Sequence, residues 1–370
     1  MYRLLICFCI GCSLFVSCTS WSDDNASHYD DHPYSTSLFV GTDRHETGDG
    51  NDLTALLQSV NNNVRYTAPK LVFLGGDYVG QGPDKGELGQ PSFDVNGVKV
   101  DIRRGLGARS RYDVLLTYGS HDKGAENGYS AFFSGPRVCD GYYAYGISYA
   151  QMRFPTDSAT LAVDTSYVVT DTIVSVIDTI ISVIDTIIVL NSYDGLDLSD
   201  RYGLSAESAV PHFTAWVESL SDHAPIVIMS HLPMHALRSD NLGAHIWYKA
   251  ISKAAGSHDI LVLFGHNHTL EERGNPADEY CYLLTPGDGI IIQGVDAVYT
   301  ERLNFSYANA GYIKLGYSSL ITFTDIDNDR NYDVMTLRRY SITGVNNDYF
   351  GLTGYRNPFS LPLTKSKLIR

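Results

Sequence analysis

Up to about residue 280, short uninterrupted apolar runs alternate with polar loops and amphipathic stretches. Residues 37–40, 71–74, 114–117, 226–229 and 260–264 are almost wholly apolar. Runs of this length fit strands covered on both faces, as in the middle of a parallel sheet. Helices are predicted over 52–60, where Leu53, Leu56 and Leu57 share one side, and over 205–220 and 244–255. Strand, polar loop and helix in repetition predict an α/β layered sheet. Beyond residue 280 the texture changes to alternating strands broken by Gly, Asn and Asp, over 280–284, 290–293, 312–315, 319–324 and 334–341. These predict an antiparallel C-terminal sheet that completes a sandwich without a core of its own.

One segment departs from this pattern. Asp164, Asp171, Asp178 and Asp185 recur every seven residues, each followed by Thr, and SVIDTII repeats verbatim from Ser175 and from Ser182. A heptad invites a coiled-coil reading, but β-branched residues dominate and favour extended structure. The last copy, 186–190, is expected to enter the main sheet. The earlier ones form a β-rich insertion within 155–186, either a bland low-complexity insert or an edge used for self-pairing or partner binding.

The first seventeen residues read as an export signal: Arg3 precedes an apolar run, 4–16, too short to span a membrane as a helix. Ser17 then precedes Cys18, the pattern of a bacterial lipoprotein signal, so Cys18 is the candidate lipidated residue and a lipid anchor would hold the protein in the cell envelope. Ordinary signal cleavage, with release to the periplasm or outside, and an uncleaved anchor helix are the alternatives. Residues 18–36 are polar and acidic, as a solvated tether would be. The remaining domain is expected over 37–345, with an extension at 346–370. Three of the six cysteines lie in the leader and Cys18 follows it, leaving Cys139 and Cys281 in the folded body, too few for a zinc–thiolate site. With 27 Lys and Arg against 42 Asp and Glu, the net charge of −15 argues against a surface that holds duplex nucleic acid. It does not exclude a phosphate substrate, because bound cations invert the local field.

The polar groups collect just past the carboxyl ends of the apolar runs, where open α/β sheets place their sites. The blocks are Gly41-Thr42-Asp43-Arg44-His45, Gly75-Gly76-Asp77, Gly119-Ser120-His121-Asp122, Ser230-His231 and Gly265-His266-Asn267-His268. Singly, an Asp after Gly is a turn residue and a lone His a hydrogen-bonded one. Jointly, carboxylates and imidazoles suit two divalent first-row cations, with one carboxylate shared between metals about 3.5–4 Å apart.

In order and setting these blocks, from about residue 38 to about 309, resemble the calcineurin-like metallophosphoesterase superfamily. The resemblance implies a four-layer αββα sandwich and a dinuclear centre of transition-metal ions (Mn, Fe or Zn, divalent or trivalent) that hydrolyses phosphate esters. Asp43, His45 and His268 would hold one metal, His231 and His266 the other, and Asp77 would bridge them. A hydroxide between the metals would attack phosphorus in line, and His121 would protonate the departing oxygen as general acid. Ser120 stands where the family usually has Asn, a ligand of the second metal. Either its hydroxyl coordinates, or a water fills the gap, or that metal binds weakly.

Other positions are read more plainly. Arg44 faces either the phosphate or solvent, and His235, near the mouth, is either a substrate contact or a loop histidine. Asn267 is expected to hold its turn. Asp325, Asp327, Asp329 and Asp333 imitate part of a calcium loop, but Arg330 replaces the required Gly and no closing Glu follows, so a hairpin turn is the better reading. Export and the acidic surface point to a small or lipid-linked phosphate ester, monoester or diester. The rival reading is a non-catalytic surface binding protein on the same fold, and a calcium-dependent adhesin built on the Asp325 loop is a third.

Overall fold

The computed structural model describes residues 35–45, 51–64, 68–78, 95–107, 112–116, 137–139, 142–153, 174–176, 179–192, 206–220, 224–235, 242–268, 283–327, 331–342, 344–345 and 358–365. Two mixed sheets face each other. The first takes β1 (Ser35–Gly41), β2 (Leu71–Leu74) and β3 (Asp113–Leu116) as parallel neighbours. The second is built on β7 (Thr179–Ser192), β8 (Ile226–Met229) and β9 (Ile260–Phe264), also parallel. All of β1, β2, β8 and β9 is buried, as their unbroken apolar runs require.

Alternation along these strands sorts their side chains between two faces. Leu38, Val40, Leu71 and Phe73 of one sheet meet Val227, Met229, Leu261 and Leu263 of the other in a shared inner core. On the outer face of the first sheet, Phe39, Val72 and Leu74 pack against α1 (Asn51–Asn63) and α2 (Val95–Leu106). On the outer face of the second, Ile226, Ile228, Val262 and Phe264 pack against α3 (Ala206–Ser219) and α4 (Ala244–Ala254). The order helix, sheet, sheet, helix is the expected αββα sandwich. Fully buried Trp247 of α4 meets Phe213 of α3 edge-on, ring centroids 5.4 Å apart.

The C-terminal third departs from a single antiparallel sheet. β14 (Tyr317–Thr324), β15 (Val334–Ser341), β16 (Gly344–Val345) and β17 (Phe359–Pro362) extend the first sheet antiparallel to β1 and to one another. β13 (Ser306–Asn309) instead runs parallel to β9 in the second sheet, with β10 (Leu283–Leu284) beside it, while β11 (Gly289–Gln293) and β12 (Val298–Arg302) pair with each other in a separate two-stranded sheet. Two expected boundaries move as a result. β1 begins inside the predicted tether, and β17, within the predicted extension, is an integral edge strand. Asp259 Oδ2 accepts hydrogen bonds from the backbone N–H groups of Thr364 (2.9 Å) and Lys365 (2.6 Å), fastening that end to the turn before β9. Residues 312–315, expected as a strand, form a 3₁₀ turn over Ile313–Leu315.

The described part of the repeat segment, 174–176 and 179–192, is extended, as its β-branched composition predicts. β5 (Tyr142–Arg153) runs antiparallel to almost the whole of β7, with β4 (Arg137–Cys139) beside it, and β6 (Val174–Val176) folds back on the start of β7. The last repeat copy delivers Ile188–Asn191 alongside β8. The leader, Cys18, Ser120, His121, Asp329 and Cys281 lie outside the described residues. Among the described residues no helix is long and apolar enough to cross a membrane.

Candidate metal centre

The carboxyl ends of β1, β2, β8 and β9 deliver Asp43 and His45, Asp77, His231, and His266 and His268 to one place. The backbone is strained there. Among the described residues, those other than glycine with positive φ are Asp43 (55°), His45 (43°), Asp77 (53°) and His266 (68°), all of them candidate ligands. Left-handed backbone is unfavourable for such residues and concentrates at functional sites, where the surroundings hold it. Here the clamps are hydrogen bonds between strand ends: Asp43 N to Gly76 O at 3.0 Å, His45 N to Asp77 O at 2.9 Å, and Gly265 N to His231 O at 3.0 Å.

The ligating atoms form two overlapping groups. Asp43, His45, Asp77 and His268 make one, and Asp77, His231 and His266 the other, with the atoms of each group within 4.8 Å of one another. Asp77 belongs to both. Its Oδ2 lies 3.0 Å from His231 Nε2 and 3.9 Å from His45 Nε2. In the first group the Nε2 atoms of His45 and His268 are 2.8 Å apart, at 3.5 Å and 3.2 Å from Asp43 Oδ1. In the second, His266 Nδ1 is 3.3 Å from His231 Nε2.

This donor set fits divalent cations. Asp43 Oδ2 is engaged, accepting from Thr42 Oγ1 and from the His266 N–H (2.9 Å), but among the described residues no hydrogen bond reaches the buried Oδ1. A buried carboxylate oxygen left without a donor, facing two imidazole nitrogens that can share a single proton, is an acceptor cluster that a cation would satisfy. The tautomer of His231 is also fixed. Its Nδ1 donates to Gly75 O at 2.8 Å, which turns Nε2 toward Asp77.

Without metal the group is held together by charge. Burial works against a protonated His231, but the adjacent Asp77 carboxylate and then the Asp43 charge outweigh it and raise the group to about 9. Burial likewise opposes the Asp43 anion, yet the adjacent His268 and His45 imidazoles and the charge of His231 keep its carboxyl well below the usual range. His231 therefore carries a proton at neutral pH that a cation must displace. The apparent affinity for Mn²⁺ should accordingly rise about tenfold per pH unit from neutrality up to about 9, measured by calorimetric titration; a flat profile would contradict the geometry. The sign for stability is opposite: this histidine stabilises the metal-free fold fully below its ordinary value of 6.5, and the contribution fades as pH rises through about 9.

Two expected substrate contacts are corrected. Arg44 is buried and its guanidinium pairs with Asp101 of α2, so its charge is neutralised inside the protein. His235 is fully buried, with Nδ1 bonded to the Tyr307 hydroxyl at 2.9 Å and its ring edge-on to Phe264, so it is a core histidine. Asn267 does sit in a tight turn, but the turn is closed by its backbone, N–H to Gly265 O at 2.8 Å. Asp325, Asp327 and Asp333 do come together, and Asp333 Oδ2 accepts the Ile326 N–H at 2.7 Å, as a hairpin turn before β15 requires. Sequence reasoning missed Tyr312, whose ring stacks on His268 with centroids 4.6 Å apart.

Residues 36–270 match the family of calcineurin-like phosphoesterases, which is more than half of the chain. The chain belongs to this family. Its members depend on dinuclear metal centres, and the two ligand groups that share Asp77 lie in the matched span. No curated protein matches the chain in sequence. Solved structures that resemble it include GAP50, the anchor in the inner membrane complex of Plasmodium (11% identity, TM-score 0.48, covering 90% of each chain). A dimetal phosphatase from Danio rerio is 14% identical, with a TM-score of 0.43 over 90% of this chain and 99% of that one. The 5'-nucleotidase from Candida albicans is 12% identical, with a TM-score of 0.40 over 85% of this chain and 53% of its own.

Proposed function

We propose that this calcineurin-like phosphoesterase hydrolyses phosphate esters at a centre of two transition-metal ions, Mn, Fe or Zn. The observation that carries the reading is Asp77, whose carboxylate is shared by both groups of ligating atoms. Asp43, His45 and His268 would hold one ion and His231 and His266 the other, each with Asp77. The ions would supply the acidification of water and the neutralisation of charge on the phosphoryl oxygens. The protein's part is to hold six side chains convergent before binding, through the clamped strand ends, and to keep His231 in one tautomer through Gly75. His121 is proposed as the general acid that protonates the departing oxygen, and Ser120 as a weak ligand or a water-bridged neighbour of the second ion.

The substrate is proposed to be a small or lipid-linked phosphate ester outside the cytoplasm, on the acidic charge and the lipoprotein-type leader. Cys18 would carry the lipid; palmitate labelling that survives in a Cys18→Ala variant would refute this. The test of function is a panel of phosphomonoesters, phosphodiesters, nucleotides and phospholipid headgroup esters, run with Mn, Fe and Zn. Turnover that requires metal and is abolished by chelation is the expected result. Two bound ions with no turnover of any ester would favour the non-catalytic binding protein instead.

A further inference from the structure

The matched family span ends at residue 270, yet the ring that covers the most open of the candidate ligands comes from beyond it. The His268 side chain is 45% exposed, whereas those of Asp43, His45 and Asp77 are at most 4% exposed. An exposed imidazole at the end of a loop has rotamer freedom, and ordering it would cost binding energy when a cation arrives. Tyr312 lies flat against it, at 4.6 Å and an interplanar angle of 17°, and meets His45 edge-on at 6.2 Å.

The backbone that carries the ring is fixed. Tyr312 bridges to Thr42, and the next two residues donate to the first ligand strand's end: Ile313 N to Thr42 O at 3.0 Å and Lys314 N to Asp43 O at 3.3 Å. Behind it, Gly311 N donates to Asn309 Oδ1 at 2.8 Å, and buried Arg339 donates through Nη2 to Asn309 O at 2.9 Å. The ring is therefore registered to the same backbone that presents Asp43.

We propose that Tyr312 is a positioning residue for the Asp43–His45–His268 half of the centre, holding the His268 imidazole with Nε2 toward Asp43 Oδ1 before metal binds. The face of the ring carries this role; the hydroxyl is not required. The inference rests on the dinuclear reading above.

The test is calorimetric titration of the metal-free protein with Mn²⁺, using wild type, Tyr312→Phe and Tyr312→Leu, with thermal melts of the metal-free proteins alongside. Wild type should take up two ions. In Tyr312→Leu one of the two should bind about tenfold more weakly and the other as before, while Tyr312→Phe stays within about twofold of wild type for both. Leucine binding both ions like wild type would overturn the inference. So would phenylalanine as weak as leucine, or a metal-free melting temperature lowered enough in Tyr312→Leu to weaken both ions together. Wild type that takes up no metal would instead remove the dinuclear reading itself.

Discussion

Replacing Asp77 by asparagine is expected to remove metal and activity together. Asparagine keeps the shape but loses the charge, and presents an amide that donates where the carboxylate accepts. Because Asp77 Oδ2 sits 3.0 Å from His231 Nε2 and within reach of His45 Nε2, both halves of the centre lose their common anion at once. A drop of roughly 1000-fold in kcat/KM, about 4 kcal/mol of transition-state stabilisation, is expected for the loss of a group used by both ions. The metal-free variant should also lose the Asp77 influence that does most to hold His231 up at about 9, leaving the Asp43 charge and the Gly75 hydrogen bond to oppose its burial. The histidine then titrates lower, which NMR of the ring protons would read. An Asp77→Asn protein that is metal-replete and active would contradict the bridging role.

The second large effect is expected at Gly265, which carries no side-chain chemistry. A Cβ there would collide with Thr42 Oγ1 and lie 2.8 Å from Asp43 Oδ2. These two atoms hold the Asp43 carboxylate in place, one by donating to it and the other by accepting the His266 N–H. Gly265→Ala must therefore part the ends of β1 and β9 or expel the Thr42 side chain. Overpacking of this kind costs about 1–3 kcal/mol. Because the strain falls on the Asp43 group, Mn²⁺ binding there should weaken far more than the melting temperature falls. An alanine variant with unchanged metal affinity would show that the strand ends are not held as closely as described.

These two residues were not equally legible. Asp77 follows an apolar run at a strand end, a position whose chemistry is fixed by local sequence and by where α/β sheets put their sites. The same logic found Asp43, His45, His231, His266 and His268, because strands buried on both faces announce themselves as unbroken apolar runs. Arg44 and His235 were read less well, since their orientation depends on Asp101 and Tyr307, partners that local sequence does not reveal. α2 is absent from the helices predicted by sequence, although Val98, Ile102 and Leu106 recur every four residues along its buried side. Gly105 in that helix is a packing feature: a Cβ there would lie 3.0 Å from Thr54 O of α1, so its absence lets the two helices approach.

The C-terminal strands show a different limit. Alternation predicts a strand but not which sheet it joins, and β13 pairs with β9 while β14 pairs with β1. The four residues from Tyr312 to Leu315 look like a strand by composition, yet backbone bonds to Thr42 and Asp43 curl them into a 3₁₀ turn. That turn places Tyr312 on His268, a contact that no spacing in the sequence encodes.

Two ions on either side of the Asp77 carboxylate can be located directly. Crystals grown with Mn²⁺ and measured near the manganese absorption edge would locate them by anomalous scattering. Two peaks about 3.5–4 Å apart, one beside Asp43, His45 and His268 and one beside His231 and His266, with Asp77 between, are the predicted result. A single peak away from Asp77, or none with Mn²⁺ in excess, would contradict it.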